Sequence, residues 1–393
     1  MWPPQGGDHA KLLCVIVARQ ADFRVSARPS ALRFEHLTFG FASVLIRITN
    51  TYHGFSMAGG RATQKDVAKA AGVSQATVSM VLSGGGASIP AETWARITKA
   101  AKDLGYVPNR FAQALKTSRS MTIACIVPDI TNPFYPSLIR GIQSVTDGLN
   151  YDVIAVNTDG SPERERHFLD WARQGRVDGV IGVFFTLRAA DLRPLVEAGV
   201  PVVRIESSRK LGGEVAVDDI FVDSRAAALA VARHLIGQGH SRIAMVAGRG
   251  GPQSHRIDGY RAALADAGYE NYIVIDEEFS ELGGMRAAET ILGSAFGPTA
   301  IFAANDLMAI GVMQALRERG VEIPKEIAVV GFDDISAAKL VTPPLTTVAQ
   351  FQWQMGERAA QTLMERLQGT RTGPGTATEM PFDLIQRGST GAT

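Results

Sequence analysis

The sequence predicts an all-α module of short helices followed by an α/β core built from two doubly wound parallel sheets. Capping residues and apolar spacings indicate three helices between residues 61 and 108, and strand and helix patterns alternate from residue 121 onward. The length of 393 residues, with 46% hydrophobic and 20% charged residues, is typical of a globular protein with two or three domains.

Positive charge is concentrated in one part of the chain. Residues 61–120 carry nine basic and three acidic residues, a local balance of +6, whereas the formal net charge of the whole chain is +1. The basic residues are Arg61, Lys65, Lys69, Arg96, Lys99, Lys102, Arg110, Lys116 and Arg119, and the acidic ones are Asp66, Glu92 and Asp103. A basic module on a neutral body indicates a polyanionic partner such as nucleic acid.

Cysteine content and hydropathy exclude several protein classes. Cys14 and Cys125 provide neither a disulfide framework nor a metal cluster, which suits a reducing cytoplasm. The apolar run at residues 12–18 is too short to span a bilayer and lacks a signal-peptide cleavage site. We therefore expect a cytoplasmic protein with no membrane segment, no metal and no cofactor.

Residues 1–60 form the first predicted segment. They show no sustained period, and Met57 stands before Ala58-Gly59-Gly60 and the first well-patterned helix. We expect an N-terminal extension that is either disordered or not translated in the cell, with Met57 as the natural start.

Residues 61–108 are predicted to form a headpiece of three helices. Thr63 and Asp66 have the spacing of a capping box, so a helix begins at Thr63 and ends at Gly72. Ser74 then caps a second helix that runs to Leu82, and two short helices joined by a glycine turn form a helix-turn-helix unit.

A third helix over residues 91–104 is expected to complete the headpiece. Its apolar residues Trp94, Ile97, Ala101 and Leu104 should close a small hydrophobic core against Ala68, Ala71, Val73 and Val78. This leaves Gln75, Ala76 and Ser79 facing outward. Any helical hairpin needs such a turn and such contacts, but the basic charge of this module favours DNA binding.

From residue 121 onward the pattern of strands and helices repeats twice. Strands are predicted at 121–127, 152–157, 179–185, 200–205, 242–247, 272–275, 299–303 and 327–332, and helices at 134–149, 162–174, 223–239, 253–267, 281–292 and 306–319. The two halves predict two lobes with a ligand crevice at the carboxyl ends of their strands.

Five motifs resemble the LacI/GalR (lactose/galactose repressor) family across residues 61–393. They read DVAKAAGVS at 66–74 with TVS at 77–79, LGYVPN at 104–109, IVPDITNPF at 126–134, VGFDD at 330–334 and PPLTT at 343–347. The resemblance implies a transcriptional repressor that binds double-stranded operator DNA, in a bacterial cytoplasm. A small effector, a sugar, would control it from between the lobes of a periplasmic-binding-protein-like core at 121–393. We expect a first lobe at 121–220 plus 350–378 and a second lobe at 221–347 plus 380–393.

The resemblance also assigns DNA contacts in the headpiece. It implies that Gln75 and Ala76 open the recognition helix in the major groove, where the Gln75 amide can pair with adenine. The other headpiece residues assigned to DNA are Thr63, Ser74, Thr77, Ser79 and Met80. Met80 departs from the family pattern, since many members carry arginine there, so operator preference cannot be transferred from relatives.

Residues 109–120 are expected to form a hinge. The segment Asn109–Lys116 resembles the family's hinge helix, which orders in the minor groove of the operator, and Leu115 matches its apolar wedge. Arg110 and Lys116 would lie near phosphates, and Asn109 is also assigned to DNA. By spacing alone, an ordinary linker with one incidental leucine fits equally well.

Residues that bind the effector are expected where strands end or helices begin. The resemblance implies that Arg256, Asn305 and Asp333 bind the effector through polar groups. It implies wall positions for Phe134, Tyr135 and Phe279, and a ligand-facing position for Glu206 in some members. Phe279 could equally be a core residue, and Asp306 and Asp334 could simply cap helices or turns. Arg256 and Asp333 need partners if they are buried.

Two other classes of function are less consistent with the sequence. A phosphate loop of a nucleotide-dependent enzyme could be placed at Gly248–Gly251, but the glycine spacing is incomplete and no catalytic set is apparent. A periplasmic sugar-binding protein would share the two lobes but would need a signal peptide and would lack the basic headpiece. The absence of a heptad tail predicts a homodimer rather than a larger assembly.

Overall fold

The computed structural model describes residues 62–82, 88–107, 119–210, 215–248, 250–276 and 278–391. The chain divides into two compact units, one ending at residue 108 and one beginning at 109. The expectations for the extension at 1–60 and for Asn109, Arg110, Leu115 and Lys116 of the hinge lie outside the described residues.

Three helices form the headpiece: α1 (Gln64–Ala71), α2 (Gln75–Leu82) and α3 (Ala91–Asp103). The predicted capping box is present, because the Thr63 side chain accepts from the Asp66 amide and Asp66 accepts from the Thr63 amide at 2.9 Å. Gly72 ends α1 with φ +65°, a left-handed conformation that glycine adopts without strain. The chain therefore turns directly from α1 into α2.

The small hydrophobic core of the headpiece differs from the prediction at one residue. Ala68, Val78 and Ile97 are buried, as predicted, but Leu104 is 42% exposed. Helix α3 ends at Asp103, and Gly105 then adopts φ +60°. This turn directs Leu104 outward and brings Tyr106 back against the core, so the assignment of Leu104 to the core was wrong.

The first lobe contains one six-stranded parallel sheet between helices. Its strands are β1 (Thr122–Val127), β2 (Asp152–Asn157), β3 (Gly179–Gly182), β4 (Val202–Glu206), β5 (Val217–Phe221) and β11 (Ala377–Glu379), in the order β11-β5-β4-β3-β1-β2. Its helices are α4 (Phe134–Thr146), α5 (Pro162–Trp171), α6 (Arg193–Glu197) and α11 (Gln352–Leu367). Both faces of the sheet are buried, which suits its Val- and Ile-rich strands.

The second lobe has a four-stranded parallel sheet and a short antiparallel pair. The sheet strands are β6 (Ile243–Ala247), β7 (Tyr272–Ile275), β8 (Ala300–Ala303) and β9 (Ala328–Val330), in the order β7-β6-β8-β9. The antiparallel pair is β10 (Thr347–Ala349) with β12 (Asp383–Ile385). The helices are α7 (Ser224–Gly237), α8 (Gln253–Ala267), α9 (Glu281–Leu292) and α10 (Asp306–Glu318).

The chain passes between the lobes three times: after β5, after β10 and after β11. The two-lobed α/β fold class predicted from the sequence is confirmed, and the crevice lies where the carboxyl ends of both parallel sheets face each other. Within the described ranges, none of the helices combines the length and the apolar character needed to cross a bilayer.

Candidate functional site

The start of α2 presents the residues that the sequence analysis assigns to DNA. Ser74, Gln75, Ala76 and Met80 are exposed, whereas Thr77 and Ser79 are half-buried, so Ser79 faces outward less than predicted. The Ser74 hydroxyl oxygen accepts from the Thr77 amide at 3.1 Å. This bond pairs a backbone N–H group in the first turn of α2. The Gln75 side chain remains at the surface of the headpiece.

A cavity of about 630 Å³ lies between the lobes; we call it the effector cavity. All seven residues assigned to the effector line it: Phe134, Tyr135, Glu206, Arg256, Phe279, Asn305 and Asp333. They come from six separate segments of the chain. The fold therefore brings together residues that are up to two hundred positions apart in the sequence.

Aromatic rings form part of the cavity wall in both lobes. Phe134 and Tyr135 begin α4 and meet edge to face, with ring centroids 5.2 Å apart. Phe185 of the first lobe lies 6.0 Å from Phe279 of the second, centroid to centroid. Phe279 is thus a wall residue at a contact between lobes rather than a core residue.

The loop that carries Phe185 is held by a buried carboxylate. Glu165 on α5 accepts from the amides of Phe185 at 2.7 Å, Thr186 at 3.1 Å and Leu187 at 3.2 Å, and also from the Thr186 hydroxyl. Gly251 makes room for the ring, because a Cβ there would lie 2.7 Å from Phe185. Sequence reasoning missed both Phe185 and Glu165, although Phe185 ends a predicted strand.

Arg256 and Asp333 form a buried ion pair at the second-lobe side of the cavity. An Arg256 guanidinium nitrogen lies 3.6 Å from an Asp333 carboxylate oxygen, and both side chains are less than a tenth exposed. The guanidinium also stacks over the Phe332 ring at 3.7 Å and donates to the Ala304 carbonyl. Each charge has the partner that its burial requires.

The backbone of Asp333 is strained. Its φ is +126°, a region that a non-glycine residue occupies only when its surroundings impose it. The amide of Gln350 donates to its carboxylate at 2.6 Å, and the Gln352 amide donates to its carbonyl. Burial raises the pKa of Asp333 to about 7, against the lowering effect of Arg256.

Asn305 holds two elements together beside the cavity. Its side-chain oxygen accepts from the Met308 amide at 2.8 Å and so caps α10, while its amide nitrogen donates to the Phe279 carbonyl at 3.3 Å. The neighbouring Asp306 is fully buried and accepts from Ile335 and Thr347. It therefore joins the start of α10 to the loop after β9 and to strand β10.

A chain of charges forms the first-lobe side of the cavity. Arg204 binds Asp219 through two hydrogen bonds of 2.8 and 2.9 Å and lies 3.2 Å from Glu206. Lys210 lies 3.6 Å from the other oxygen of Glu206. Burial raises the pKa of Glu206. Sequence reasoning missed Arg204, although an arginine between Val203 and Ile205 in a buried strand must find a carboxylate.

Comparison with known proteins identifies both units. A family profile described as bacterial regulatory proteins, lacI family, matches residues 63–109, and one for a periplasmic binding protein-like domain matches residues 232–390. The transcriptional regulator DegA of Bacillus subtilis is 33% identical over 337 residues, which are 84% of this chain and 98% of DegA. The ribose operon repressor of Escherichia coli is 36% identical over 314 residues, 78% of this chain and 93% of that protein.

Solved structures give the same result. The lac repressor dimer bound to operator and the anti-inducer ONPF matches with a TM-score of 0.74 and 26% identity, over 85% of this chain and all of that one. A complex of the transcriptional regulator CelR with cellobiose matches with a TM-score of 0.62 and 30% identity, over 84% of this chain and all of that one.

Proposed function

The chain belongs to the lacI family of bacterial regulatory proteins, and from this premise we propose that it represses transcription as a homodimer on operator DNA. A sugar-type effector in the cavity would control that binding. The chain would act in the cytoplasm and carry out no catalytic turnover. The observation that carries the proposal is the presence of both parts in one chain: an exposed recognition helix and a polar, aromatic-lined cavity between two lobes.

The headpiece supports DNA binding by its shape and its charge. Helix α2 presents Gln75 and Ala76 at its exposed start, and an amide side chain can pair with the adenine edge in the major groove. Lys65, Lys69, Arg96 and Lys102 are exposed on α1 and α3, where they can interact with phosphates. The residue that distinguishes bases and the residues that attract the phosphates of any DNA sequence would thus be different.

The effector cavity supports binding of a small polyhydroxylated ligand. It combines aromatic faces with three guanidinium groups, two carboxylates and several amides, which are the groups that bind sugar rings and their hydroxyls. Since its walls belong to both lobes, a ligand that prefers one lobe arrangement shifts the population toward it. The ribose operon repressor and the CelR–cellobiose complex among the matches also favour a sugar.

The test is operator selection followed by an effector screen. The full chain is used to select duplexes from a random DNA library, and the selected duplex is then titrated with and without a panel of sugars. We expect one selected sequence class whose affinity changes with at least one sugar. Binding to all duplexes alike would contradict the repressor assignment.

One variant separates the two functions. Arg256→Ala should abolish the response to the effector and keep operator affinity, because it removes a cavity wall residue and no headpiece residue. Arg286→Ala, which removes an exposed arginine on α9, is the control and should keep both. Loss of operator affinity in Arg256→Ala alone would indicate a folding role instead.

A further inference from the structure

Buried polar atoms without partners are concentrated at the effector cavity. Across the described ranges, four buried side-chain atoms lack a hydrogen-bond partner: Ser224 Oγ, His234 Nε2, Gln253 Oε1 and Arg256 Nε. Ser224, Gln253 and Arg256 line the cavity, and each is less than 5% exposed. Because a buried polar atom costs free energy until it is paired, pairing of these three groups would favour a polar ligand in the cavity.

The three groups indicate what kind of ligand this is. Gln253 Oε1 is an acceptor and needs a donor, Arg256 Nε carries a hydrogen and needs an acceptor, and the Ser224 hydroxyl can do either. A ligand hydroxyl can serve as donor and acceptor at once, so a polyol satisfies all three. This part of the cavity favours hydroxyl groups and does not by itself call for a charge.

The start of α8 adds a second requirement. Gly250 and Gly251, with φ of +76° and +55°, lead into the helix, and Pro252 at its N-cap makes no side-chain capping bond. The first-turn residues Gln253, Ser254 and His255 line the cavity. The Gln253 N–H group donates to the Gly250 carbonyl at 3.4 Å, and the next N–H groups of the first turn, at the positive end of a fifteen-residue helix, attract a negatively charged group.

The charges around the cavity point the same way. Four cationic side chains line it: Arg188, Arg204, Lys210 and Arg256. Three carboxylates face them, Glu206 and Asp333 in the lining and Asp219 behind Arg204. Arg204 already engages both Asp219 and Glu206, and Arg256 engages Asp333. Arg204 and Lys210 together balance Asp219 and Glu206, and Arg256 balances Asp333, so the charge of Arg188 remains in excess.

Lys210 lies beside the first turn of α8. The Ser208 hydroxyl is 3.0 Å from His255 Nε2, which ties the loop after β4 to that turn. Burial and then the charge of Lys210 lower the pKa of His255, while Asp258 and Asp223 act in the opposite direction. The lysine and the positive helix end thus face the same region from the two lobes.

We propose that the effector is an anionic sugar, a polyhydroxylated ligand bearing a carboxylate or phosphate. The anionic group would lie between Lys210 and the first turn of α8, and hydroxyls would meet Gln253, Ser224 and Arg256. This rests on the proposed function, since it names the class of effector for the same cavity. It also gives a role to the glycine run that the sequence analysis weighed as a phosphate loop: the run leads into an anion-binding helix start.

Matched sugar pairs test the charge directly. Calorimetry on the full chain compares glucose with glucuronate and glucose 6-phosphate, galactose with galacturonate, and ribose with ribose 5-phosphate. We expect an anionic member of at least one pair to bind about tenfold or more tightly than its neutral counterpart, as a charge-assisted hydrogen bond implies. The carboxylate and phosphate arms distinguish the two sources of charge.

A lysine variant locates the site. Lys210→Met should remove most of the advantage of the anionic sugar, so that the affinity for the anionic member of a pair falls by a larger factor than that for the neutral member, because Lys210 is a partly exposed cation that lines the cavity. Lys325→Met removes an exposed lysine outside the cavity and should change neither. Inorganic phosphate is the minimal probe: it should raise the Tm of the original chain more than chloride at equal ionic strength, but not that of Lys210→Met.

Neutral members that bind as tightly as their anionic counterparts in every pair would overturn the inference. An anion preference that survives Lys210→Met would overturn it too. If a neutral sugar alters operator affinity, the proposed function stands and only the charge assignment fails. If no selected operator is found, the proposed function fails irrespective of which sugars bind.

Discussion

Burial brings one carboxyl group of the cavity close to half-protonation at neutral pH. Asp333 is enclosed by Phe332, Arg256, Asp306, Tyr135 and Gln350, and its pKa rises to about 7 from an ordinary value of 3.8. The folded protein therefore holds this proton more strongly than the unfolded chain does. Its contribution to the free energy of unfolding falls as the pH rises from about 4 to about 7.

The corresponding prediction concerns Asp333→Asn. The asparagine side chain cannot ionise, so the variant lacks this loss of stability. Relative to the original chain, its free energy of unfolding should therefore increase as the pH rises from about 4.5 to about 8. Urea unfolding at fixed ionic strength measures it. Asp306, with a pKa raised to about 6 by burial, contributes in the same direction in both proteins. A difference that stays constant with pH would show that Asp333 titrates at its ordinary value.

Gln75 gives a prediction about base reading. Gln75→Ala should weaken binding to the selected operator by about 1–3 kcal/mol and relax the preference at one base pair of each half-site. Competition among single-base operator variants at two salt concentrations measures both effects. Lys65→Ala is the comparison: if that lysine contacts a phosphate, all sequences should lose affinity and the log-log salt slope should fall by about 0.9. An unaltered base-preference profile in Gln75→Ala would exclude it as the reader.

Among the elements, the contact between α4 and α11 depends on two glycines. A Cβ at Gly141 would lie 2.1 Å from the Trp353 carbonyl oxygen, and one at Gly356 would lie 2.1 Å from that of Leu138. The two helices can approach this closely only because both positions lack a side chain. The hydrophobic core of the first lobe is completed by α11 through Met355 and its neighbours.

Gly141→Ala should therefore destabilise the protein by about 1–3 kcal/mol, since the added methyl group meets backbone that cannot move aside easily. Gly148→Ala is the matched control, because no heavy atom lies within 4 Å of its Cβ position. It should change stability by no more than about 0.5 kcal/mol. Equal stability of the two variants by urea unfolding would mean that the helices can separate without cost.

Most elements up to residue 332 could be predicted from the sequence, but strand β5, which has charged residues inside a short buried strand, could not. The bounds of β2, α8 and β7 agree residue for residue with the spacing of their apolar positions. Strand β5 was missed because two aspartates interrupt its apolar residues, and both are buried only because Arg366 and Arg204 pair with them. Such partners are distant in sequence.

The resemblance assigned residues 350–378 to the first lobe and 380–393 to the second, but the bounds of the elements there were not predicted. The alternation predicted from the sequence ends at residue 332, and it provides no position for α11 or for β10, β11 and β12. The three strands have three residues each, too few to show a period. At the cavity, the position of each effector-assigned residue agrees with its place after a strand or at a helix start. Glu165 and the positive φ of Asp333 depend on tertiary contacts that spacing cannot reveal.

At the scale of the whole molecule, two-fold symmetry should be visible in the DNA. One recognition helix per chain reads a single half-site, so a homodimer should protect two inverted half-sites about one helical turn apart, roughly 34–36 Å between centres. Footprinting on the selected operator, combined with sedimentation of the complex, measures spacing and stoichiometry. A single protected half-site with one chain bound would exclude the symmetric dimer.

The three passages of the chain between the lobes have a consequence for synthesis on the ribosome. The edge strand β11 and the helix α11 of the first lobe are encoded after nearly all of the second lobe. While the nascent chain emerges, the first lobe therefore has an unpaired sheet edge at β5 and an uncovered face on α4 until β11 and α11 are synthesised. The second lobe can complete its main sheet earlier. Nascent chains stalled just before residue 352 should be cut by protease in the first lobe, and chains released after residue 391 should resist.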